Sequence, residues 1–206
     1  MKQIAVLASG RGSNFQAILD ALSKGRIDGR VVALFTDNKE AYAIDRANAA
    51  GIPVIILNYK DYSSKKEYET ELLAAMKAVR VDLFVCAGYM RIIGTEIARE
   101  FAGKMINIHP ALLPAFAGLH GQRQAVEYGV KIAGCTVHFV DEGLDSGPII
   151  LQKSVEVLDD DDEDSLSERI LEQEHIAFPE AVSLFCADRL EVSGRHVKIL
   201  PEANNQ

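Results

Sequence analysis

Cysteine is scarce in this chain of 206 residues, and the three present, Cys86, Cys135 and Cys186, are odd in number and far apart. All lie in apolar surroundings and none has metal-ligand spacing, so they read as buried reduced thiols of a cytoplasmic protein. Positive charge is also short: 22 Lys and Arg against 30 Asp and Glu leave a net charge of −8. A phosphate backbone needs clustered Lys and Arg, which argues against nucleic acid as the main partner. An anionic small molecule is still admissible, in a local basic or amide-lined pocket. No stretch approaches the roughly 20 apolar residues of a membrane span. The opening MKQIAVLASG has too short an apolar run for a signal peptide and leads straight into a glycine turn. There is no internal repeat and no linker.

What is present is ordinary for a globular protein, 48% hydrophobic and 25% charged, enough for one proper core. Strand and helix alternate through the first half. Apolar runs at Gln3 to Ala8, Arg30 to Phe35, Pro53 to Leu57 and Asp82 to Ala87 read as strands, followed by one ending near Asn107. Helices are expected at Asn14 to Ser23, Ala41 to Ala50, Lys65 to Val79 and Thr95 to Phe101. That order specifies right-handed crossovers and a mostly parallel sheet with helices on both faces. After Leu119 the pattern changes. A short helix at Gln122 to Tyr128 precedes two β-rich segments, Ala133 to Val140 and Pro148 to Val157, that suggest an antiparallel pair. The acidic run Asp159 to Asp164 reads as a solvated helix cap, since consecutive carboxylates diverge and make no cage for a cation. Behind it Ser165 and Glu168 have capping-box spacing, opening a helix to about Ala187 that Pro179 is expected to kink or break. The tail from Gly194 ends in a polar ANNQ.

Four stretches could carry chemistry. In KMINIHPALLP, Asn107 and His109 are two residues apart at the end of a strand stopped by Pro110, so both project from one face at the sheet's edge. An amide donor beside an imidazole suits stabilisation of a developing oxyanion, and it also suits a satisfied histidine at a strand end. The turn Gly10-Arg11-Gly12-Ser13-Asn14 opens a helix whose free N–H groups would take a phosphate, or is simply a tight turn. Phe15 stands where a dinucleotide fingerprint would have its third glycine, which favours a single phosphate; Asp37 keeps a ribose-binding reading open. Gly88-Tyr89-Met90-Arg91-Ile92-Ile93 could line a slot for a flat heterocycle, or pack as an ordinary loop. In DEGLDSG, from Asp141 to Gly147, an acid could reach His109; a carboxylate beside an imidazole raises its pKa and fixes its orientation.

Taken together, IAVLASGRGSN, AGYMRI, NIHPALLP with GLHG, HFVDEGLDSGPII and QEHIAFP resemble the folate-dependent formyltransferases, in the branch that acts on glycinamide ribonucleotide. The resemblance covers nearly the whole chain and implies a three-layer α/β/α fold, with a seven-stranded, mostly parallel sheet and one antiparallel strand. It implies a single domain over residues 1–206, residues 1–103 being a Rossmann-like phosphate-binding half and 104–206 a folate-binding and catalytic half. The implied substrates are glycinamide ribonucleotide and 10-formyltetrahydrofolate, with no metal, in a monomer or homodimer. Asn107, His109 and Asp145 match the catalytic trio. Arg11, Gly12, Ser13 and Asn14 match the loop that holds the substrate phosphate, and Glu174 falls at its ribose end. Lys65, Tyr89, Met90, Arg91, Ile92 and Ile93 match the folate site, together with Asn107, Val140, Asp141, Glu142, Gly143, Leu144 and Asp145. Two departures stand out. Ala117 replaces a common proline, which loosens that loop, and Arg11 replaces a common asparagine, which adds positive charge beside the phosphate. A nicotinamide-dependent oxidoreductase, a non-catalytic nucleotide sensor and a hydrolase releasing formate are the rival readings.

Overall fold

The computed structural model describes residues 1–202, so the ANNQ tail lies outside the described residues. Seven strands form one sheet: β1 (Lys2–Leu7), β2 (Gly29–Thr36), β3 (Val54–Ile56), β4 (Leu83–Cys86), β5 (Met105–His109), β6 (Ile132–Phe139) and β7 (Ile149–Glu156). Their order is β3-β2-β1-β4-β5-β6-β7. β6 runs antiparallel to both neighbours and every other pairing is parallel. The sheet therefore has one antiparallel strand, as the family resemblance implies. The strand order reverses between β1 and β4, which in open α/β sheets opens a crevice beyond their carboxyl ends.

Helices cover both faces. On one side α1 (Ser13–Ser23), α2 (Ala43–Ala49), α5 (Gly121–Tyr128) and α6 (Glu163–Cys186) contribute Phe15, Ala43, Ala125 and Phe178 to a core built on Ile4, Val6, Ile106 and Val137. On the other, α3 (Lys65–Ala78) and α4 (Thr95–Glu100) bring Tyr68, Leu72, Met76 and Ile97 onto Leu7, Phe84 and Met105. Adjacent residues of a strand face opposite ways. Ile106 and Ile108 belong to the first core and Met105 to the second, so Asn107 and His109 lie on the α3–α4 face. Cys86, Cys135 and Cys186 are buried free thiols, as expected, and burial pushes the first two up to about 12 and the third to about 11.

Three local expectations need correction. The capping box of α6 is Asp162 with Ser165, not Ser165 with Glu168: the helix starts inside the acidic run, where Asp162 Oδ1 accepts from the Ser165 N–H at 2.9 Å. In the same run Asp161 is paired with Arg169 at 2.6 Å, which holds its carboxyl well below the usual range. Nor does Pro179 break α6, which runs unbroken for 24 residues. A helical proline costs about 3 kcal/mol. Burying Leu166, Ile170, Phe178 and Val182 from the same helix returns about 1.5–3 kcal/mol each, which outweighs it. Last, the segment after α6 is not a plain tail. It folds into a two-stranded antiparallel hairpin, β8 (Leu190–Ser193) and β9 (His196–Ile199), turning at Gly194 and Arg195.

Candidate active site

Asn107 and His109 end β5, and Asp145 meets them from the loop between β6 and β7. The His109 Nδ1 lies 3.4 Å from Asp145 Oδ2, with both side chains nearly buried. Because β6 runs antiparallel to β5, its carboxyl end lies beside the start of β5, where the Val140 N–H donates to the Met105 carbonyl. The 141–147 loop therefore leaves from the far edge and folds back over the sheet face to deliver Asp145. It is tied internally, since Asp141 Oδ1 accepts from the Gly143 N–H at 3.1 Å and from Ser146 Oγ at 2.6 Å. At Gly147 an added Cβ would lie 1.8 Å from the Phe139 carbonyl oxygen, so a side chain has no room there.

His138 is the residue that sequence reasoning missed. It sits in β6 directly opposite Asn107 and is 2% exposed. Its Nδ1 is 2.8 Å from the Phe139 carbonyl, which can only accept, so Nδ1 carries the proton. Burial lowers its pKa and favours the neutral ring, leaving Nε2 as an acceptor. Asn107 Nδ2 donates to that nitrogen at 3.3 Å, which fixes which way the amide points. The same Nε2 lies 3.8 Å from Asp145 Oδ1, too far for a hydrogen bond and acceptor to acceptor, so His138 orients Asn107 and only borders Asp145. The signal was its register: once β5 and β6 are known to pair, a polar side chain opposite Asn107 shares its face.

Both nitrogens of His109 face acceptors. Nε2 is 2.9 Å from the Phe116 carbonyl and Nδ1 faces the Asp145 carboxylate. Asp145 is itself held from the loop after β5, where the Gly118 N–H donates to Oδ2 at 2.8 Å. Thr136 anchors the start of that loop, donating to the Ala111 carbonyl at 2.7 Å and accepting from the Leu113 N–H at 3.0 Å.

The glycine turn stands at the carboxyl end of β1. Gly12 is left-handed, with φ of 66°, and packs so closely that an added Cβ would meet Ala43 Cβ at 2.8 Å. No side chain caps α1, so its first-turn N–H groups point outward with the positive end of the helix dipole. Arg11 is exposed beside them, and Arg46 donates to its carbonyl at 2.9 Å. Asn14 Nδ2 donates to Glu174 Oε2 at 2.7 Å, bringing α6 to the turn. Asn14 Oδ1 and the neighbouring His175 Nε2 are buried without a protein partner. Asp37, which a ribose-binding dinucleotide reading needs, is buried and paired with Arg91 at 2.7 Å.

Glu174 gives a prediction of its own. Burial pushes its carboxyl up from an ordinary value of 4.5, with the Asn14 hydrogen bond opposing. An acid with a raised folded pKa costs stability once pH rises above its unfolded value, because the unfolded chain ionises first. Glu174→Gln should therefore melt a few degrees higher than wild type at pH 7 in a thermal scan, with the difference vanishing below about pH 4.

Most of the expected folate residues lie on the loops after β4 and β6, with differing roles, whereas Lys65 opens α3 and Asn107 lies in β5. Met90, Ile92 and Leu144 are 65%, 62% and 52% exposed apolar side chains, open to a flat apolar ligand. Ile93 and Val140 pack against the second core. Tyr89 turns inward, its hydroxyl bonded to that of Tyr68, so it offers backbone rather than a ring. Arg91 is drawn to Asp37 and lies 4.0 Å over the Tyr59 ring. Glu142 pairs with Arg99 at 2.7 Å and Lys65 with Glu69 at 3.4 Å, both near the surface. The loop is joined to the glycine turn: Ser9 N–H donates to the Gly88 carbonyl at 3.1 Å and Met90 N–H to Ser9 Oγ at 2.8 Å. Among the described residues no group of His, Cys, Asp and Glu could hold a metal ion, and no helix is long and apolar enough to cross a membrane.

Residues 2–182 match the formyl transferase family. The chain belongs to that family. The chain is 46% identical over 207 residues to the trifunctional purine biosynthetic protein adenosine-3 of Drosophila melanogaster, covering 100% of this chain but 15% of that protein. The chain thus spans a small part of that relative's length. It is 43% identical to the phosphoribosylglycinamide formyltransferase of Bacillus subtilis, covering 88% of this chain and 93% of the relative. Its fold matches the crystal structure of glycinamide ribonucleotide transformylase 1 from Symbiobacterium toebii with a TM-score of 0.94 at 48% identity, over 98% and 95% of the two chains. With the family shown and Asp37 engaged by Arg91, the nicotinamide-dependent reading is set aside.

Proposed function

We propose that this formyltransferase moves the formyl group of 10-formyltetrahydrofolate to the amine of glycinamide ribonucleotide, in de novo purine biosynthesis. The products are formylglycinamide ribonucleotide and tetrahydrofolate. The observation that carries the reading is the meeting of Asn107, His109 and Asp145 from segments far apart in the chain, with β5 ending at the same edge of the sheet as the β1 strand that leads into the anion-ready turn at Gly12. A sensor would need the two pockets but not this convergence.

In this reading the substrate phosphate sits on the N–H groups of Gly12, Ser13 and Asn14, beside Arg11, and Glu174 holds the ribose end. The heterocycle of the folate lies along residues 88–93 and 140–145. The amine attacks the formyl carbon and charge builds on the formyl oxygen. Asn107 donates to that oxygen and His109, with its positive charge balanced by Asp145, stabilises it. The bond from carbon to the folate nitrogen then breaks, and the proton lost by the amine passes to that nitrogen through His109 or a water. The formyl group is already activated and its leaving nitrogen is weakly basic, so the reaction proceeds without a Lewis acid. Residues 1–103 and 104–206 act as halves of one catalytic domain, as a monomer or homodimer.

The deciding measurement follows tetrahydrofolate and formate together, with and without glycinamide ribonucleotide. Tetrahydrofolate should appear only with the amine, and no formate with it. Formate release at the same rate without the amine would make the protein a hydrolase.

A further inference from the structure

The hairpin β8–β9 lies outside the sheet and beyond residue 182, where the family match ends. It is firmly seated. Arg189 closes its open end, donating from Nε to the Leu200 carbonyl at 2.7 Å and accepting the Leu200 N–H at 2.8 Å. The Arg189 N–H also donates to the Leu184 carbonyl of α6 at 3.0 Å. Leu190 and Val197 pack on the first core, and β9 runs alongside β7. So mounted, its turn presents Arg195, whose Nη1 donates to the carbonyl of Ser146 at 2.8 Å.

Ser146 follows Asp145, and Asp145 has φ of 48°, in the left-handed region that a side chain disfavours. Aspartate tolerates that region better than most residues, yet the conformation is still held best where its surroundings fix it. Three contacts supply that constraint, and each grips a different part. Gly118 holds the Asp145 carboxylate, Asp141 holds the Ser146 hydroxyl, and Arg195 holds the Ser146 carbonyl, which orients the peptide just after Asp145. The Arg195 contact is charge-assisted, hence stronger than a neutral hydrogen bond, and it comes from outside the loop.

We propose that Arg195 is a positioning residue for formyl transfer: the C-terminal hairpin braces the Asp145–Ser146 backbone so that the carboxylate stays against His109 and His138. This rests on the role given to Asp145 under Proposed function. Arg195 touches none of the reacting atoms and acts through Asp145.

The test is a double-mutant cycle of Arg195→Ala and Asp145→Ala, with Arg195→Lys as the conservative variant, each measured for kcat, both KM values and thermal midpoint. A displacement of about 1 Å at a catalytic group can cost on the order of 100-fold. Arg195→Ala should lower kcat by about 10- to 100-fold with KM for the amine unchanged, and lysine should restore most of it. In the Asp145→Ala background the same substitution should have no further effect. Wild-type turnover in Arg195→Ala, with Asp145→Ala impaired, would overturn the bracing role alone. An undiminished loss in the Asp145→Ala background would do the same, as would a lowered melting point with kcat per folded molecule intact. Wild-type turnover in Asp145→Ala would instead overturn the reading of the site on which the proposal stands.

Discussion

Replacing His109 by alanine should lower kcat by about 10²–10³ while KM for both substrates stays close to wild type. His109 is 4% exposed and both its ring nitrogens are occupied, by the Phe116 carbonyl and the Asp145 carboxylate. The ring therefore has one orientation, and a positive charge on it has a counter-charge already in place. Such a group acts on charge that develops during the reaction rather than on the ground state, which is why the loss belongs in kcat. Steady-state kinetics of the folded variant decide it. Turnover within a few-fold of wild type would remove His109 from the chemistry. The loss should not be recovered by raising either substrate, since saturation does not replace a missing donor.

Asp145→Ala should show a loss of similar size, about 10²–10³ in kcat, by a different route. Its carboxylate lies 3.4 Å from His109 and 3.8 Å from His138, and it accepts from the Gly118 N–H. Removing it takes the balancing charge from His109 and frees the loop after β5 at Gly118. Alanine also tolerates φ of 48° less well than aspartate does, so with the carboxylate contacts gone the segment is driven to leave that conformation. Asp145→Asn separates these effects. It preserves an acceptor for Gly118 but not the charge, so it should keep the melting point of wild type and the low kcat of the alanine variant. An asparagine variant with wild-type kcat would show that orientation, not charge, is what Asp145 provides.

Much of this architecture is legible in the residues. The apolar runs at Gln3, Arg30 and Asp82, each followed by a helical period, are enough for a parallel sheet, because strands covered on both faces have no polar side to show. Asn107 and His109 stand out because Pro110 stops their strand. What was hidden depended on pairing. Asp145 approaches from the far edge because β6 is antiparallel, and His138 matters only because it is opposite Asn107; register is a property of two strands and neither sequence carries it alone. Pro179 does not end its helix because local propensity was set against burial, and burial was larger. The hairpin shows clean alternation in LEVS and HVKI around Ser-Gly-Arg, but its strands are four residues each, too short to stand out from a polar tail.

The bonds from Ser9 to Gly88 and Met90 also bear on how this protein could be redesigned. The proposed cradle for the anion and the proposed groove for the heterocycle share a crossbeam, so neither is a cassette. Transplanting residues 88–93 from a relative to admit a bulkier cofactor analogue would shift Ser9, and with it the neighbouring glycines that set the anion's seat. Grafts that carry residue 9 along with the new groove stand the better chance of keeping both guests.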